Sequence, residues 1–427
     1  MGALRVSLGF VALATIATGS CVGRVREPSV AAQLELAAIA LREGRLEEAT
    51  ELVARARQRD PRDVAAAACS ATIAELLWRD DDAVREMAAA VRNALTRGSD
   101  EYELSVLRGR LGDLLFQAGR WRDCREPLSA GQAIDGERRR AFAAVAAVLP
   151  SARQPDGPLL TEQPLLPGDA PEFVCGSGER LRPFAIDTGT SMTTLGRSFA
   201  EELAVGHRQP AGTALDGAGR ELPVEVGVLP RFQVGDVAMG ATPVLIVDDA
   251  ALRLRDLFGG PERVPRGVLG LDLLAAVRLT IDPERRSVTI ELPRGLPTEQ
   301  SVQCVRVEGR CLAPVQIEGV RLWFVLDSGA SHSSLSEVGV TRLPGGDRRT
   351  VPSYRRIRTV GGGLLSVREV RDLVLRCSEG RFLGVTLPVV ARGRSKTFPV
   401  DGVLGLDLLR RCRVIVDRGR ARLVALP

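Results

Sequence analysis

A short motif occurs twice in this chain, and it limits the possible folds more than any other feature. The two copies read FAIDTGTSMTTL at residues 184–195 and FVLDSGASHSSL at residues 324–335. In each copy an Asp directly follows an apolar run that is typical of a buried strand, and a hydroxyl residue and a Gly come next. A buried carboxylate is costly unless it is paired or hydrogen-bonded. An Asp that stands twice in this setting therefore indicates a functional pair, Asp187 and Asp327.

A second duplication lies downstream of each copy. The segment GVLGLDLL begins at residue 267 and again at residue 402, and a strand-like pattern follows it both times. The two motif pairs keep the same order and nearly the same spacing, which indicates an internal repeat of one all-β unit. We predict a first lobe at residues 172–295 and a second lobe at residues 300–427.

These paired motifs resemble those of the retropepsin-like aspartic proteases. In that family each lobe supplies one catalytic Asp, and an apolar–apolar–Gly segment passes behind the active-site turn. The resemblance covers residues 172–427 and implies an all-β domain with two retropepsin-like or pepsin-like lobes. It also implies that Asp187 and Asp327 share one proton and activate a water molecule for peptide hydrolysis.

The residues around the two Asp residues have expected supporting roles. The hydroxyls of Thr188 and Ser328 are expected to hydrogen-bond across the two turns. We expect the Thr190 hydroxyl to donate to Asp187, which would make Asp187 the more readily ionised partner, because Ala330 at the matching position has no hydroxyl. Close approach of backbone segments is expected at four glycines, Gly189, Gly329, Gly270 and Gly405.

Two further Gly-containing segments correspond to the flaps that close over substrate in this family. They contain no Tyr, unlike the flaps of pepsin-like enzymes. In a second departure from the family pattern, Asp272 and Asp407 follow the apolar–Gly segments, where viral members usually have Arg. This difference suggests that other residues support the active site from beneath. The flap glycines are Gly217, Gly219, Gly361, Gly362 and Gly363.

The first residues of the chain predict export. Arg5 precedes an apolar run at residues 6–17, which is too short to span a membrane, and small residues lead into Cys21. This pattern resembles a bacterial lipobox, although Thr18 stands where Leu is usual. We therefore predict a signal peptide at residues 1–21, lipidation of Cys21 and a periplasmic or cell-envelope location. Simple secretion and an uncleaved anchor are the alternatives.

Residues 30–149 predict an all-α domain of helical repeats. They have helical periodicity, and one part of them matches the tetratricopeptide repeat, a helix–turn–helix unit. Such a stack serves either as a spacer or as a groove that binds a protein partner. Residues 150–171 are rich in Pro and predict a linker or an extended arm that lies on a neighbour. The matching positions are Leu36, Ala37, Gly44, Ala49, Ala56 and Pro61.

Composition excludes several other classes of protein. The 58 Lys and Arg residues nearly balance 53 Asp and Glu residues, and the basic residues form no stripe, so we expect no nucleic-acid partner. With two His residues and no nucleophile elbow of the Gly-x-Ser-x-Gly type, we expect no metal, no cofactor and no serine hydrolase chemistry. The spacing of the cysteines fixes no disulfide pairing.

The sequence thus predicts a multidomain protein, with helical repeats before a two-lobed aspartic endopeptidase that acts on peptides or proteins. Both halves of the dyad are encoded once, so a monomer should hold a complete active site. The membrane would be reached only through the lipid anchor, and the helical repeats would present or recruit protein. The alternative is a catalytically inactive peptide-binding or scaffold lipoprotein that uses the same cleft and helices.

Overall fold

The computed structural model defines most of the chain beyond its first residues. The predicted signal peptide at residues 1–21 with Cys21, and all five flap glycines (Gly217, Gly219, Gly361, Gly362 and Gly363), lie outside the described residues. The described residues are 28–150, 155–156, 160–166, 171–177, 180–215, 221–234, 236–252, 265–274, 277–358, 364–391, 395, 397–417 and 419–426.

Residues 28–150 form a helical region in which successive helices pack side by side. Fully buried Ala residues such as Ala49 and Ala90 line the helix contacts, because only small side chains let helix backbones approach closely. Among the described helices, none combines the length and apolar character that crossing a membrane requires. The helices are α1 (Val30–Arg42), α2 (Leu46–Arg59), α3 (Val64–Leu76), α4 (Asp80–Arg97), α5 (Glu101–Gln117), α6 (Trp121–Ala130) and α7 (Gly136–Ala146).

The rest of the described chain is mostly strand, with four short α-helices and three short 3-10 helices (Asp249–Leu252, Thr298–Gln300 and Gly346–Arg349). The strands up to the end of the first lobe are β1 (Pro155–Asp156), β2 (Leu160–Pro164), β3 (Glu172–Ser177), β4 (Arg180–Ile186), β5 (Thr194–Gly196), β6 (Gly206–Leu215), β7 (Glu221–Leu229), β8 (Phe232–Val234), β9 (Val237–Met239), β10 (Thr242–Val247), β11 (Gly267–Leu269), β12 (Arg278–Asp282) and β13 (Ser287–Glu291). The strands of the second lobe are β14 (Val302–Gln303), β15 (Val305–Val307), β16 (Arg310–Ile317), β17 (Val320–Leu326), β18 (Ser334–Ser336), β19 (Val351–Arg358), β20 (Leu364–Cys377), β21 (Gly380–Val390), β22 (Gly402–Leu404), β23 (Cys412–Asp417) and β24 (Arg420–Ala425). The short helices are α8 (Arg197–Glu202), α9 (Leu271–Leu274), α10 (Glu337–Arg342) and α11 (Leu406–Leu409).

The two lobes share one topology, as the internal repeat predicts. Strands of the first lobe follow the order β3-β4-β11-β5-β10-β7-β6, and those of the second follow the equivalent order β16-β17-β22-β18-β21-β20-β19. In each lobe a Phe packs under a Gly, so that a Cβ on Gly267 would lie 2.3 Å from Phe184 and one on Gly402 would lie 2.4 Å from Phe324. The fold class read from the sequence is therefore confirmed.

A third sheet joins the lobes and includes the Pro-rich segment. Its order is β14-β24-β23-β12-β13-β2, and β12 of the first lobe pairs antiparallel with β23 of the second. Arg413 and Asp282 form an ion pair of 2.6 Å across this junction. Strand β2 pairs with β13, and β1 pairs with β9. The described part of residues 150–171 is thus an arm that lies along the first lobe, not a free linker.

The helical region packs directly onto the lobes. Helices α1 to α3 share a hydrophobic cluster with β15 to β17, in which the Trp323 indole donates to Gly44 O (3.2 Å) and lies 5.1 Å from the Phe398 ring. Helix α7 packs on β6 and β7. Gly44 has a φ of +74°, and a Cβ there would lie 2.6 Å from Trp323 Nε1. The helices therefore contribute to the packing of both lobes.

We expect Trp323→Ala to destabilise the chain by about 3 to 5 kcal/mol, because it empties a buried site between the helices and the second lobe. Denaturant unfolding of the full chain measures this. Leu383→Ala is the control, because Leu383 is 57% exposed, and its effect should stay within about 0.5 kcal/mol. Equal effects of the two variants would show that the helices do not contribute to the stability of the lobes.

Candidate active site

Equivalent strands carry Asp187 and Asp327 into the same place. Each Asp directly follows a strand, β4 or β17, that runs parallel to a short strand behind it, β11 or β22. The Asp187 N–H donates to Leu269 O (3.1 Å), and the Asp327 N–H donates to Leu404 O (3.0 Å). The strand that ends in the apolar–Gly segment therefore fixes the backbone of each Asp.

The two turns face each other across the lobe boundary. A Cβ added to Gly189 would lie 2.5 Å from the carboxyl carbon of Asp327, and a Cβ added to Gly329 would lie 2.6 Å from that of Asp187. Real Cβ atoms do not approach other atoms so closely, so any side chain at either position would displace the opposite carboxyl group. The structure thus brings the two predicted Asp residues together within one chain.

The hydroxyls of Thr188 and Ser328 bond across the boundary, as the sequence predicts. The Thr188 N–H donates to Ser328 Oγ (3.1 Å), and the Ser328 N–H donates to Thr188 Oγ1 (3.2 Å). Each hydroxyl then donates to the opposite strand, Thr188 to Leu326 O and Ser328 to Ile186 O, both at 2.7 Å. All four bonds are buried, and a buried donor or acceptor left without a partner costs about 1–3 kcal/mol, so the network locks the turns together.

Backbone N–H groups, and not the Thr190 hydroxyl, support the carboxyl groups. Asp187 Oδ1 accepts the Gly189 N–H at 2.8 Å, with a weaker contribution from the Thr190 N–H. Asp327 Oδ1 accepts two N–H groups, from Gly329 (3.0 Å) and from Ala330 (2.8 Å). Among these described residues, the Thr190 hydroxyl makes no hydrogen bond to Asp187. The expectation from the sequence is therefore wrong at this point.

The charge of the pair is distributed opposite to the expectation from the sequence. Burial and, to a smaller extent, the adjacent Asp327 raise the pKa of Asp187 to about 8, although the Gly189 and Thr190 N–H groups oppose the rise. Two close carboxylates cannot both ionise cheaply, so they hold one proton between them. Asp327 accepts the stronger set of backbone hydrogen bonds, which favours its charged form. We therefore expect the shared proton to reside on Asp187.

A second pair of carboxylates holds the active-site turns from behind. Asp272 Oδ1 accepts both the N–H (2.7 Å) and the hydroxyl (2.9 Å) of Thr193, and Asp407 Oδ1 accepts the same groups of Ser333 at 2.7 and 2.6 Å. The two hydroxyl oxygens in turn accept the N–H groups of Gly270 (3.2 Å) and Gly405 (2.9 Å). Each lobe thus ties its turn to the start of a short helix, α9 or α11.

These four residues extend the site that sequence reasoning proposed. In the sequence, Asp272 and Asp407 are noticed only because they depart from the pattern of the family. Their partners, Thr193 and Ser333, are not predicted. The signal is present, because a hydroxyl residue stands six positions after each dyad Asp and an Asp stands two positions after each Gly of the apolar–Gly segment.

The predicted backbone glycines behind the turns are in place. A Cβ on Gly270 would lie 2.4 Å from the Met192 carbonyl carbon, and one on Gly405 would lie 2.6 Å from that of His332. The two segments predicted as flaps follow β6 and β19, outside the part of the chain that the structure describes. Within the described part, no group of three or more His, Cys, Asp or Glu side chains could hold a metal ion.

The two lobes have one topology, and each brings an Asp–hydroxyl–Gly turn to a shared pair of carboxyl groups. This arrangement defines the class of two-lobed aspartic protease folds. Residues 174–273 and 313–408 match the model of a family described as aspartyl protease. The β region of this chain is thus a tandem pair of retropepsin-like aspartyl protease lobes that follows a helical region.

Solved structures resemble separate parts of the chain. Basic 7S globulin from soybean is 12% identical, with a TM-score of 0.36, over 63% of this chain and 97% of its own. A retropepsin-like aspartic protease from Rickettsia conorii is 16% identical, with a TM-score of 0.23, over 33% of this chain and 94% of its own. MamA MSR-1 is 19% identical, with a TM-score of 0.23, over 29% of this chain and 69% of its own. The comparison with curated proteins found no match.

We expect Asp187→Asn to stabilise the chain at alkaline pH. The ordinary pKa of an Asp is 3.8, and that of Asp187 is raised to about 8 by folding. The unfolded chain therefore loses this proton first as the pH rises, and the free energy of unfolding of the parent falls between about pH 4 and pH 8. Asn does not titrate, so the advantage of the variant should be smallest near pH 4 and largest above pH 8.

Denaturant unfolding of both chains across this pH range provides the measurement. Asp372→Asn is the control, because Asp372 is exposed in the second lobe, and its curve should run parallel to that of the parent. Parallel curves for the parent and Asp187→Asn would contradict the placement of the shared proton on Asp187.

Proposed function

We propose that the chain is an aspartic endopeptidase whose Asp187 and Asp327, contributed by one chain, hydrolyse peptide bonds. The observation that supports this most is the pair of adjacent carboxyl groups, one with a pKa raised to about 8, in a fold of the aspartyl protease family. A protein that only binds peptides has no need for two carboxyl groups that repel each other when both ionise.

In this proposal the two carboxyl groups have different roles. Asp327, ionised because of its backbone hydrogen bonds, takes a proton from a water molecule held between the pair, and the water oxygen attacks the carbonyl carbon of the peptide. Asp187 is protonated below about pH 8 and donates its proton to the carbonyl oxygen. The carbon–nitrogen bond then breaks as the leaving nitrogen takes up the proton that Asp327 received, and one hydroxyl of the tetrahedral intermediate returns a proton to Asp187 as the new carboxyl group forms.

We expect Asp187→Asn and Asp327→Asn each to lower kcat/KM for peptide cleavage by about a thousandfold or more, because the pair acts as a unit. The full chain is incubated with a diverse peptide pool between pH 3 and pH 8, and the products are identified by mass spectrometry. Asp372→Asn removes an exposed carboxyl group of the second lobe and should cleave like the parent.

Two outcomes would contradict the proposal. Cleavage by either dyad variant at more than a few per cent of the parent rate would show that the pair is not the catalyst. A well-folded parent that cleaves nothing, yet binds peptides, would instead favour the inactive peptide-binding or scaffold protein.

We propose further that the protein is exported from a bacterial cytoplasm and anchored by lipid on Cys21, in the periplasm or cell envelope. The apolar run at residues 6–17, behind Arg5 and before small residues, supports this. Metabolic labelling of an expressing bacterium with a tagged fatty acid should mark the parent and not Cys21→Ser. Equal labelling of both chains, or of neither, would exclude lipidation at Cys21.

A further inference from the structure

The helical region and both lobes enclose a cavity of about 1210 Å³. Its walls come from α3 to α7, from the turn after Asp187, and from the hairpin between β15 and β16. The volume exceeds the roughly 300–1,000 Å³ that is typical of small-molecule pockets. The cavity therefore has room for several residues of a polypeptide.

The turn that follows Asp187 contributes to the cavity wall. Ser191 and Met192 line it, and Ser191 stands four residues after Asp187, so their Cα atoms are at most about 14 Å apart. A peptide that reaches from the dyad to Ser191 therefore needs at most about four extended residues. Gly309, at the tip of the hairpin from the second lobe, also lines the cavity, and a Cβ there would lie 2.4 Å from Ser191 Cβ. The cavity thus borders the place where the turn of the first lobe packs against the second lobe.

Fixed contacts hold the helical wall in this position. The buried guanidinium of Arg306, in β15, forms an ion pair with Asp80 at the start of α4. The same guanidinium lies 5.0 Å from the centre of the Trp78 ring. All three side chains line the cavity, so its shape is set before any ligand binds.

The walls mix apolar surface with an excess of acidic groups. Phe116, Phe142 and Met192 supply apolar surface, and acidic side chains outnumber basic ones along the lining. Glu75 is neutralised by Arg110. By contrast, Asp81 makes no ion pair with any described residue and is exposed. Ion pairs with Arg also neutralise Asp80, Asp82 and Asp113, so Asp81 is a negative charge that this wall offers to a basic ligand.

We propose that this cavity extends the substrate cleft and binds a part of the polypeptide substrate that begins within about four residues of the scissile bond and continues away from it, with a preference for basic side chains. This inference rests on the proposed endopeptidase function. It assigns the helical region a direct role in substrate recognition and makes long polypeptides with basic segments the preferred substrates.

A nested series of peptides around one cleaved bond tests the inference. The shortest peptide has three residues on each side, and longer ones add six residues to one side, either Arg-containing or with Gln in place of Arg. With the full chain, kcat/KM should rise at least about tenfold when one particular side is extended, and not the other. The Arg-containing extension should exceed the Gln extension by about two- to fivefold, as expected for exposed charge pairs.

Two variants locate the effect. Each is read as a ratio of two kcat/KM values, extended to short peptide for Ala118→Trp and Arg to Gln extension for Asp81→Asn, and such a ratio is independent of the fraction of active enzyme. Ala118→Trp, at the end of α5 in the cavity wall, should abolish the gain from extension. Its control is Ala147→Trp, at the exposed end of α7 away from the cavity, which should keep the gain. Asp81→Asn should abolish the preference for Arg, and Glu35→Gln, which removes an exposed charge elsewhere on the helices, should not.

The outcomes separate this inference from the proposed function. Cleavage that is independent of peptide length, or a gain that survives in Ala118→Trp, overturns the inference and leaves the endopeptidase proposal intact. If no peptide is cleaved, the proposed function fails, and binding of the labelled extended peptide is measured by fluorescence anisotropy. Equal affinity of the parent and Ala118→Trp then overturns the inference as well.

Discussion

Two glycines, each pressed against the carboxyl group of the opposite lobe, set the geometry on which the rest of this structure depends. Gly189 meets Asp327 and Gly329 meets Asp187 at distances that leave no room for a side chain. Such contact is possible only if both turns are held rigidly, because a small shift of either turn would separate the carboxyl groups. Three sets of contacts supply that rigidity. The hydroxyls of Thr188 and Ser328 join the two turns, the apolar–Gly segments bond to the backbone of each Asp, and Asp272 and Asp407 hold the far end of each turn.

Burying two adjacent carboxyl groups works against folding, and the pKa of Asp187, raised first by burial and then by Asp327, is the sign of that cost. The long-range contacts of the chain oppose it. The β12–β23 pairing joins the lobes through the third sheet, and the helical region contacts both lobes through Trp323 and α7. A site that is unfavourable by itself can persist where the surrounding packing determines its position. In this chain the surrounding packing includes the helical region, which the match to the tetratricopeptide repeat assigns to a separate domain.

The sequence predicted what depends on local patterns. The repeated Asp–hydroxyl–Gly turn and the repeated apolar–Gly segment predicted two like lobes, because one buried strand followed by one turn defines each half of the site. The packing of the helices onto the lobes was not predicted, because Gly44 and Trp323 are distant in sequence and their contact has no local signature. The sequence placed the shared proton on Asp327, whereas the structure favours Asp187. The difference arises because backbone N–H donors, such as that of Ala330, support the charge of Asp327, and residue types do not reveal such donors.

The central claim of this account is that one chain forms one complete pair of carboxyl groups. Mixing purified Asp187→Asn chains with Asp327→Asn chains, over a wide range of concentration, tests it most directly. If the pair forms within a chain, neither variant can complement the other, and the mixture should cleave peptide no faster than either variant alone. If the pair forms between two chains, mixed dimers will contain one intact site, and cleavage will appear on mixing and increase with concentration; that result would contradict the account.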